Sequence, residues 1–141
     1  MVHIQPGAPR QLQVVVTAGP EDLAKAAFAF ETALSAVASS VQVHVFLVLN
    51  ASKWACEPRR RTAQRVYDLI DQVTALGVTV TCCSTCVVEH CAPERWQSTP
   101  ERRDGAGGAV GTAIATNQAM AVSGLTAFVE GVVAGIPTIT F

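Results

Sequence analysis

The sequence has few charged residues, no basic excess and no long apolar run. Only 15% of its residues are charged, and the formal net charge is −1. A chain so close to neutral gives no general electrostatic reason to expect nucleic acid binding. No apolar run approaches the roughly 20 residues that a membrane span needs, and the N-terminus lacks a basic start followed by an apolar segment. We therefore expect a cytoplasmic protein that has no membrane span and does not bind nucleic acid directly.

The low share of charged residues and the high share of hydrophobic ones also bear on whether the protein forms oligomers. The 141 residues are enough for one domain with a sizeable core. Half of them are hydrophobic, which is a high share for so small a domain. We expect part of this apolar surface to be buried between subunits.

Cysteine, in contrast, is plentiful and clustered. Four of the five cysteines lie within ten residues, namely Cys82, Cys83, Cys86 and Cys91. Because cytoplasmic thiols stay reduced, such a set indicates catalysis, thiol chemistry or metal binding rather than a disulfide scaffold. The fifth, Cys56, follows Trp54 in a loop, and we expect it to be packed beneath that ring.

The cysteine cluster begins on a predicted strand. After Gly77, β-branched residues alternate up to Cys82, which predicts a strand over residues 78–82. Cys86, Val87 and His90 then follow at helical spacing. A thiol at such a junction lies near the first free N–H groups of a helix, which stabilise a thiolate. Since side chains alternate along a strand, Cys82 and Cys83 should face opposite sides, and at least one should be a packing residue.

The rest of the chain alternates between strand and helix patterns. Apolar or β-branched runs predict four further strands at residues 12–16, 41–49, 119–122 and 136–141. Apolar stripes at helical spacing predict helices at about residues 21–37, 59–76 and 125–133. Ser123 is the expected N-cap of the last helix. Residues 50–58 are predicted to be a connecting loop.

Two segments are predicted to lie outside this pattern. Residues 1–10 contain two prolines and a glycine and indicate a flexible leader to a domain over residues 11–141. The stretch from Pro93 to Gly111 is predicted to be a mobile loop near the site. Its glycine run at 105–111 lacks the phosphate-binding pattern, so we interpret the run as flexible loop.

This alternation predicts a single α/β domain. We expect a five-stranded, mostly parallel, flavodoxin-like sheet of order 2-1-3-4-5, with helices on both faces. The topological switch point of that order lies between strands 1 and 3, and ligand chemistry gathers at the carboxyl ends of the strands there. Gly19-Pro20 and Cys82-Cys83 would then share one crevice.

Three stretches resemble a known family. They are the opening Val14-Val-Val-Thr-Ala-Gly-Pro20, the strand from Gly77 to Cys83, and the tail with Asn117, Ser123-Gly-Leu125, Glu130 and Phe141. In order and spacing they are similar to the DsrE/DsrF-like sulfur-relay family, including its TusD-like members. The resemblance covers most of the chain from Gln11 onward and is weakest at residues 50–58 and 92–111.

The resemblance implies a function and a site. It implies a subunit of a homo- or hetero-oligomeric trimer or hexamer that accepts sulfane sulfur as a cysteine persulfide. Sulfur-donor and sulfur-acceptor proteins would be its partners, and neither a cofactor nor a metal is implied. In TusD-like members the acceptor lies six positions after the glycine that begins the third strand, which gives Cys83. The extra cysteines leave Cys82 and Cys86 as alternative acceptors, and a persulfide on Cys83 could be resolved as a Cys83–Cys86 disulfide.

Other functions stay open at this point. Cys83-Ser-Thr-Cys86 is a CxxC sequence, typical of dithiol–disulfide redox proteins, although thioredoxin carries its CxxC after the first strand of the fold core. A metal-binding or structural module would use Cys83, Cys86, His90 and Cys91, but the adjacent His90 and Cys91 crowd a tetrahedral site. A flavin or nucleotide binder is supported by the switch point alone.

Overall fold

The computed structural model of the chain describes residues 10–91 and 120–141. The described residues form five strands: β1 (Gln11–Val16), β2 (Gln42–Leu47), β3 (Thr79–Cys83), β4 (Ala121–Ser123) and β5 (Thr138–Thr140). The helices are α1 (Leu23–Ala38), α2 (Lys53–Cys56), α3 (Gln64–Ala75), α4 (Ser84–His90) and α5 (Thr126–Val133), with 3-10 turns at Leu49–Ser52 and Arg61–Ala63. The predicted leader, apart from its last residue, and the loop at 93–111 with its glycine run lie outside the described residues.

The strands form one parallel sheet in the order β4-β3-β2-β1-β5. The α/β class is confirmed, but the expected order 2-1-3-4-5 is wrong, because β2 lies between β1 and β3. Strand length explains the difference. The two six-residue strands β1 and β2 occupy the interior, and the three-residue β4 and β5 form the edges. Short edge strands expose few unpaired backbone groups, whereas the expected order would have placed β2 at an edge.

The corrected order also moves the switch point. The first four strands are added in one direction, and the order reverses between β1 and β5. Gly19 after β1 and Cys83 at the end of β3 therefore do not flank a common switch point, as the sequence led us to expect. The segment that follows β2, at Leu49–Ser52, lies between them.

Helices cover both faces of the sheet, as predicted. On one face α1 packs against α3, over a core of strand residues that includes Val14, Val45 and Val80. On the other face lies α5, where the Phe128 ring meets Phe46 edge to face at 5.2 Å. The sheet that carries the cysteines of β3 is therefore packed against helices on both of its faces.

The ends of the elements are set by local chemistry. Asp22 caps α1 by accepting a hydrogen bond from the Lys25 backbone N–H at 3.1 Å. Gly77 and Gly135 follow α3 and α5 with φ of 89° and 84°, a conformation that glycine adopts without strain. Ser123 is not the N-cap of α5, contrary to prediction, because it is the last residue of β4 and the N-cap is Leu125.

Two boundaries differ near the cysteines. The second strand ends at Leu47 rather than Leu49, and the predicted loop at 50–58 contains a 3-10 turn followed by α2. α3 begins at Gln64, five residues later than predicted. Among the described residues, no helix is long and apolar enough to cross a membrane.

Candidate functional site

The site is built where β3 runs directly into α4. Cys83 is the last residue of β3 and the N-cap of α4, with extended backbone angles of −66° and 123°. Cys82 belongs to the core beneath α1 and α3, whereas Cys83 does not. The expectation that these neighbours face opposite sides of the sheet is confirmed, and the two thiols therefore have different surroundings.

Cys82 is a packing residue. Its side chain is fully buried, and this burial raises the pKa of the thiol to about 12. The sulfur lies 4.0 Å from the backbone oxygen of Ser52, to which the thiol donates a weak hydrogen bond. At neutral pH such a thiol stays protonated, and a protonated thiol is a poor nucleophile.

Cys83 and Cys86 form a dithiol pair. Cys83 is the N-cap of α4 and Cys86 is the third residue of the helix, so both thiols lie in its first turn and interact. Both are buried, with 4% of Cys83 and 9% of Cys86 exposed. Burial is the main cause that raises the pKa of Cys86, and the contact with Cys83 raises this pKa further.

Two groups in the turn after β2 lower the pKa of Cys86 and so oppose the effect of burial. A hydrogen bond from the Leu49 backbone and one with the Ser52 side chain both lower its pKa. A backbone group that stabilises a thiolate must donate, so the Leu49 group is its N–H. The turn thus places donors at the sulfur of Cys86 that partly offset the effect of burial.

This turn is held in an unusual conformation. Leu49 has a φ of 53°, in the left-handed region that non-glycine residues seldom adopt. The Ser52 hydroxyl donates to the Leu49 carbonyl at 2.7 Å, and the Ala51 N–H donates to the carbonyls of Val48 and Thr17 at 3.0 and 3.2 Å. Backbone strain of this kind persists where surrounding contacts enforce it and gathers at functional sites. No feature of the sequence pointed to Leu49 or Ser52.

The remaining cysteines are joined in a disulfide. Cys56 at the end of α2 is bonded to Cys91, 35 residues later, with 6.1 Å between their Cα atoms. This corrects two expectations, that Cys56 is only a packing residue and that the cysteines do not form a structural disulfide. Trp54 does lie in the same buried layer, where its Nε1–H donates to the Ala18 carbonyl at 2.8 Å.

The disulfide removes one of the four expected metal ligands, since Cys91 is bonded to Cys56. Among residues 10–91 and 120–141, no three His, Cys, Asp or Glu side chains are grouped so that they could hold a metal ion. His90 lies on α4 four residues after Cys86, and its Nε2 is 3.9 Å from the Glu89 carboxylate. The described part of the chain therefore gives no support to the metal-binding alternative.

A groove of about 640 Å³ lies elsewhere. It is lined by residues that begin the strands, among them Gln11, Gln42, Gly77 and Thr79, together with Glu130 of α5. Ligands of open parallel sheets bind at the opposite, carboxyl ends of the strands. The groove is thus separate from the dithiol pair and gives no support to a nucleotide at the thiols.

Comparison with known proteins agrees with this architecture. The fold is similar to the crystal structure of the ychN protein from E. coli, with a TM-score of 0.66 at 16% identity, over 94% of this chain and 99% of that one. It is also similar to the structure of BT1422, a conserved protein of unknown function from Bacteroides thetaiotaomicron, with a TM-score of 0.57 at 15% identity, over 93% and 94%. A search among curated proteins gives no significant match. The DsrE/DsrF-like family matches residues 11–141, almost the whole chain, and the protein therefore belongs to that family.

Proposed function

We propose that this protein is a sulfur-relay carrier that accepts sulfane sulfur as a persulfide on Cys83 and passes it to the thiol of a partner protein. Family membership suggests sulfur relay in general. The observation that carries the finer assignment is the position of Cys83, which ends β3 six residues after Gly77 and contacts a second thiol. Cys82, the adjacent alternative, is held in the core as a protonated thiol.

The transfer is an exchange between sulfur atoms. The Cys83 thiolate attacks the outer sulfur of a donor persulfide, the donor's S–S bond breaks, and the donor leaves as a thiol. The same exchange, run against the thiol of an acceptor, unloads Cys83. Neither direction requires a separate general base, because the attacking group is already a thiolate.

Access to Cys83 bears on the choice of partners. With 4% of the residue exposed, a donor reaches the sulfur only after a local opening around the end of β3. An opening that docking promotes would make transfer with matched proteins faster than transfer with small free thiols. This supports sulfur-donor and sulfur-acceptor proteins as the partners.

We also propose that the chain works as an oligomer, a trimer or a hexamer. Four large apolar side chains around α5 are exposed in the single chain, namely Leu125, Val129, Val132 and Val133. Exposed apolar patches of this kind mark surfaces that contact other subunits.

The carrier function is tested by intact mass and peptide mapping. The wild type, treated with glutathione persulfide and blocked with a thiol reagent at early times, should gain one sulfur, about 32 Da, in the peptide that contains residues 82–86. Cys83→Ser should gain none, and Cys82→Ala, which removes the adjacent buried thiol, should gain as much as the wild type. Full labelling of Cys83→Ser would refute the assignment.

A dithiol–disulfide redox protein is the second candidate. The position of two free thiols, Cys83 and Cys86, in the first turn of α4 favours it, because thiols so placed can form a disulfide. The same mass measurement separates the two functions. A redox protein would lose two hydrogen atoms from the peptide without holding a gained sulfur at any time.

A further inference from the structure

Only one free thiol contacts Cys83 among the described residues. Cys82 faces the opposite side of the sheet, and Cys56 and Cys91 are bonded to each other. Cys86 remains, a buried free thiol one helical turn from Cys83, since Cys83 is the N-cap of α4 and Cys86 is its third residue. A sulfur atom added to Cys83 would therefore be formed against a second thiol of the same chain.

We propose that Cys86 resolves the Cys83 persulfide within the chain and releases hydrogen sulfide, so that the protein also acts as a persulfide-cleaving dithiol. This inference rests on the proposed loading of Cys83. It assigns Cys86 as a catalytic residue of a second reaction, and it makes the fate of the sulfur depend on which thiol reaches Cys83 first.

The reaction balances without an external oxidant. The Cys86 sulfur attacks the inner sulfur of the persulfide, which is the Sγ of Cys83, and a Cys83–Cys86 disulfide forms. The bond between that Sγ and the outer sulfur breaks, and its electron pair leaves with the outer sulfur as hydrosulfide. The proton of the Cys86 thiol leaves with it, which gives hydrogen sulfide. A dithiol reductant, small or thioredoxin-like, then restores both thiols and is itself oxidised to a disulfide.

The surroundings of Cys86 suit this attack. The Leu49 N–H and the Ser52 side chain both lower the pKa of Cys86, and the Ser52 hydroxyl, which donates to the Leu49 carbonyl at 2.7 Å, can rotate toward the sulfur when the thiol ionises. The groups around it in the turn carry no formal charge, so its ionisation depends on these donors, on burial and on the other thiol. Because burial raises the pKa of Cys86, the release of sulfide should accelerate as the pH rises above neutral.

Proximity favours the internal thiol over an external one. Reacting groups held in contact behave as if present at a very high concentration, on the order of 10⁵ M or more in well-oriented cases. An external thiol has to open a site of which 4% is exposed, whereas Cys86 is already in place. An acceptor protein would have to dock before the internal attack occurs in order to receive the sulfur.

The test follows sulfide and protein mass together under anoxic conditions. Wild type, Cys86→Ser and Cys86→Ala are loaded with glutathione persulfide, separated from the donor and left without reductant. We expect the wild type to release about one equivalent of sulfide and to end with two hydrogen atoms lost from the 82–86 peptide. Both Cys86 variants should keep the added sulfur and release at least tenfold less sulfide. Cys82→Ala should release as much as the wild type.

The outcomes separate this inference from the carrier function. If the wild type holds its persulfide as long as the Cys86 variants do, the resolving role is refuted while loading of Cys83 stands. If neither Cys86 variant is loaded on Cys83 although Cys83→Ser still gains sulfur, the carrier assignment itself fails. Addition of dithiothreitol to the resolved wild type should restore its capacity to load, and failure to do so would contradict the dithiol cycle.

Discussion

Cys56 and Cys91 are joined by a disulfide that ties the end of α2 to the residue after α4. The turn after β2 lies just before α2, which ends at Cys56, and α4 leads directly to Cys91, so the disulfide joins the two segments that meet at the dithiol pair. The sulfur of Cys91 is also 3.7 Å from the Ser52 backbone oxygen, in the same turn that contacts Cys86. The disulfide thus restrains the position of the turn at Leu49–Ser52 relative to Cys83 and Cys86.

Loss of this disulfide should destabilise the domain. It closes a loop of 35 residues, for which the restriction of the unfolded chain corresponds to about 3–4 kcal/mol. The double variant Cys56→Ala/Cys91→Ala should therefore have a clearly lower free energy of unfolding in urea than the oxidised wild type. The wild type with a reductant should fall by a similar amount, and equal midpoints for all three samples would contradict a structural role.

The cysteines show where prediction from the sequence succeeds and where it stops. Alternating β-branched residues predicted β3, and the period of two placed Cys82 and Cys83 on opposite faces. The pairing of Cys56 with Cys91 had no local signal, since the connectivity of distant cysteines cannot be deduced from spacing. We relied instead on the assumption that all five thiols are reduced.

The strand order was missed for a similar reason. Every predicted strand was an apolar or β-branched run, and such a pattern does not say which strands are neighbours. Only the shortness of β4 and β5 could have pointed to the edges, and the sequence pattern had overestimated the length of β5. For the candidate site, the sequence named Cys83 and Cys86, and their roles stay predictions. The turn that contacts Cys86 was expected to be the end of a strand and a plain loop.

Because the Cys82 thiol is buried in its protonated form, the free energy of unfolding should fall at alkaline pH. Its pKa rises from 9.0 in the unfolded reference to about 12 in the fold, so the folded state keeps a proton that the unfolded state loses. The contribution is intact below pH 9 and is lost progressively as the pH rises toward 12. Urea titrations at pH 8 and pH 10.5 should show a smaller alkaline loss for Cys82→Ala than for the wild type, and identical losses would refute the burial of an un-ionised thiol.

The left-handed backbone conformation of Leu49 should lower the free energy of unfolding of the domain. A non-glycine residue in the left-handed region costs about 1–2 kcal/mol, and half of this side chain is exposed, so little packing is lost on its removal. Leu49→Gly is expected to raise the free energy of unfolding by about 0.5–1 kcal/mol. Leu49→Val, which shortens the side chain but adds a β-branch, should lower it. The reverse order in urea unfolding would show that the turn does not hold this conformation.

Ser52 should set the reactivity of Cys86. Its hydroxyl donates to the Leu49 carbonyl at 2.7 Å, and because a hydroxyl rotates freely it can turn toward the Cys86 sulfur when that thiol ionises. Ser52→Ala removes this donor, so the pKa of Cys86 should rise further above its ordinary value. At a fixed pH below that pKa, alkylation of Cys86 by iodoacetamide should slow several-fold.

The Ser52 effect can be separated from a general loosening of the fold. The rate should be measured from pH 7 to pH 10 in a Cys83→Ala background, where Cys86 is the remaining thiol of the pair. We expect the Ser52→Ala profile to shift to higher pH with an unchanged plateau, because the thiolate itself is not altered. The matched control is Ser39→Ala, whose exposed hydroxyl donates to the Ser35 carbonyl at 3.1 Å at the end of α1 and should leave the profile in place. A faster reaction of Ser52→Ala at every pH would mean that Ser52 shields Cys86 instead of stabilising its thiolate.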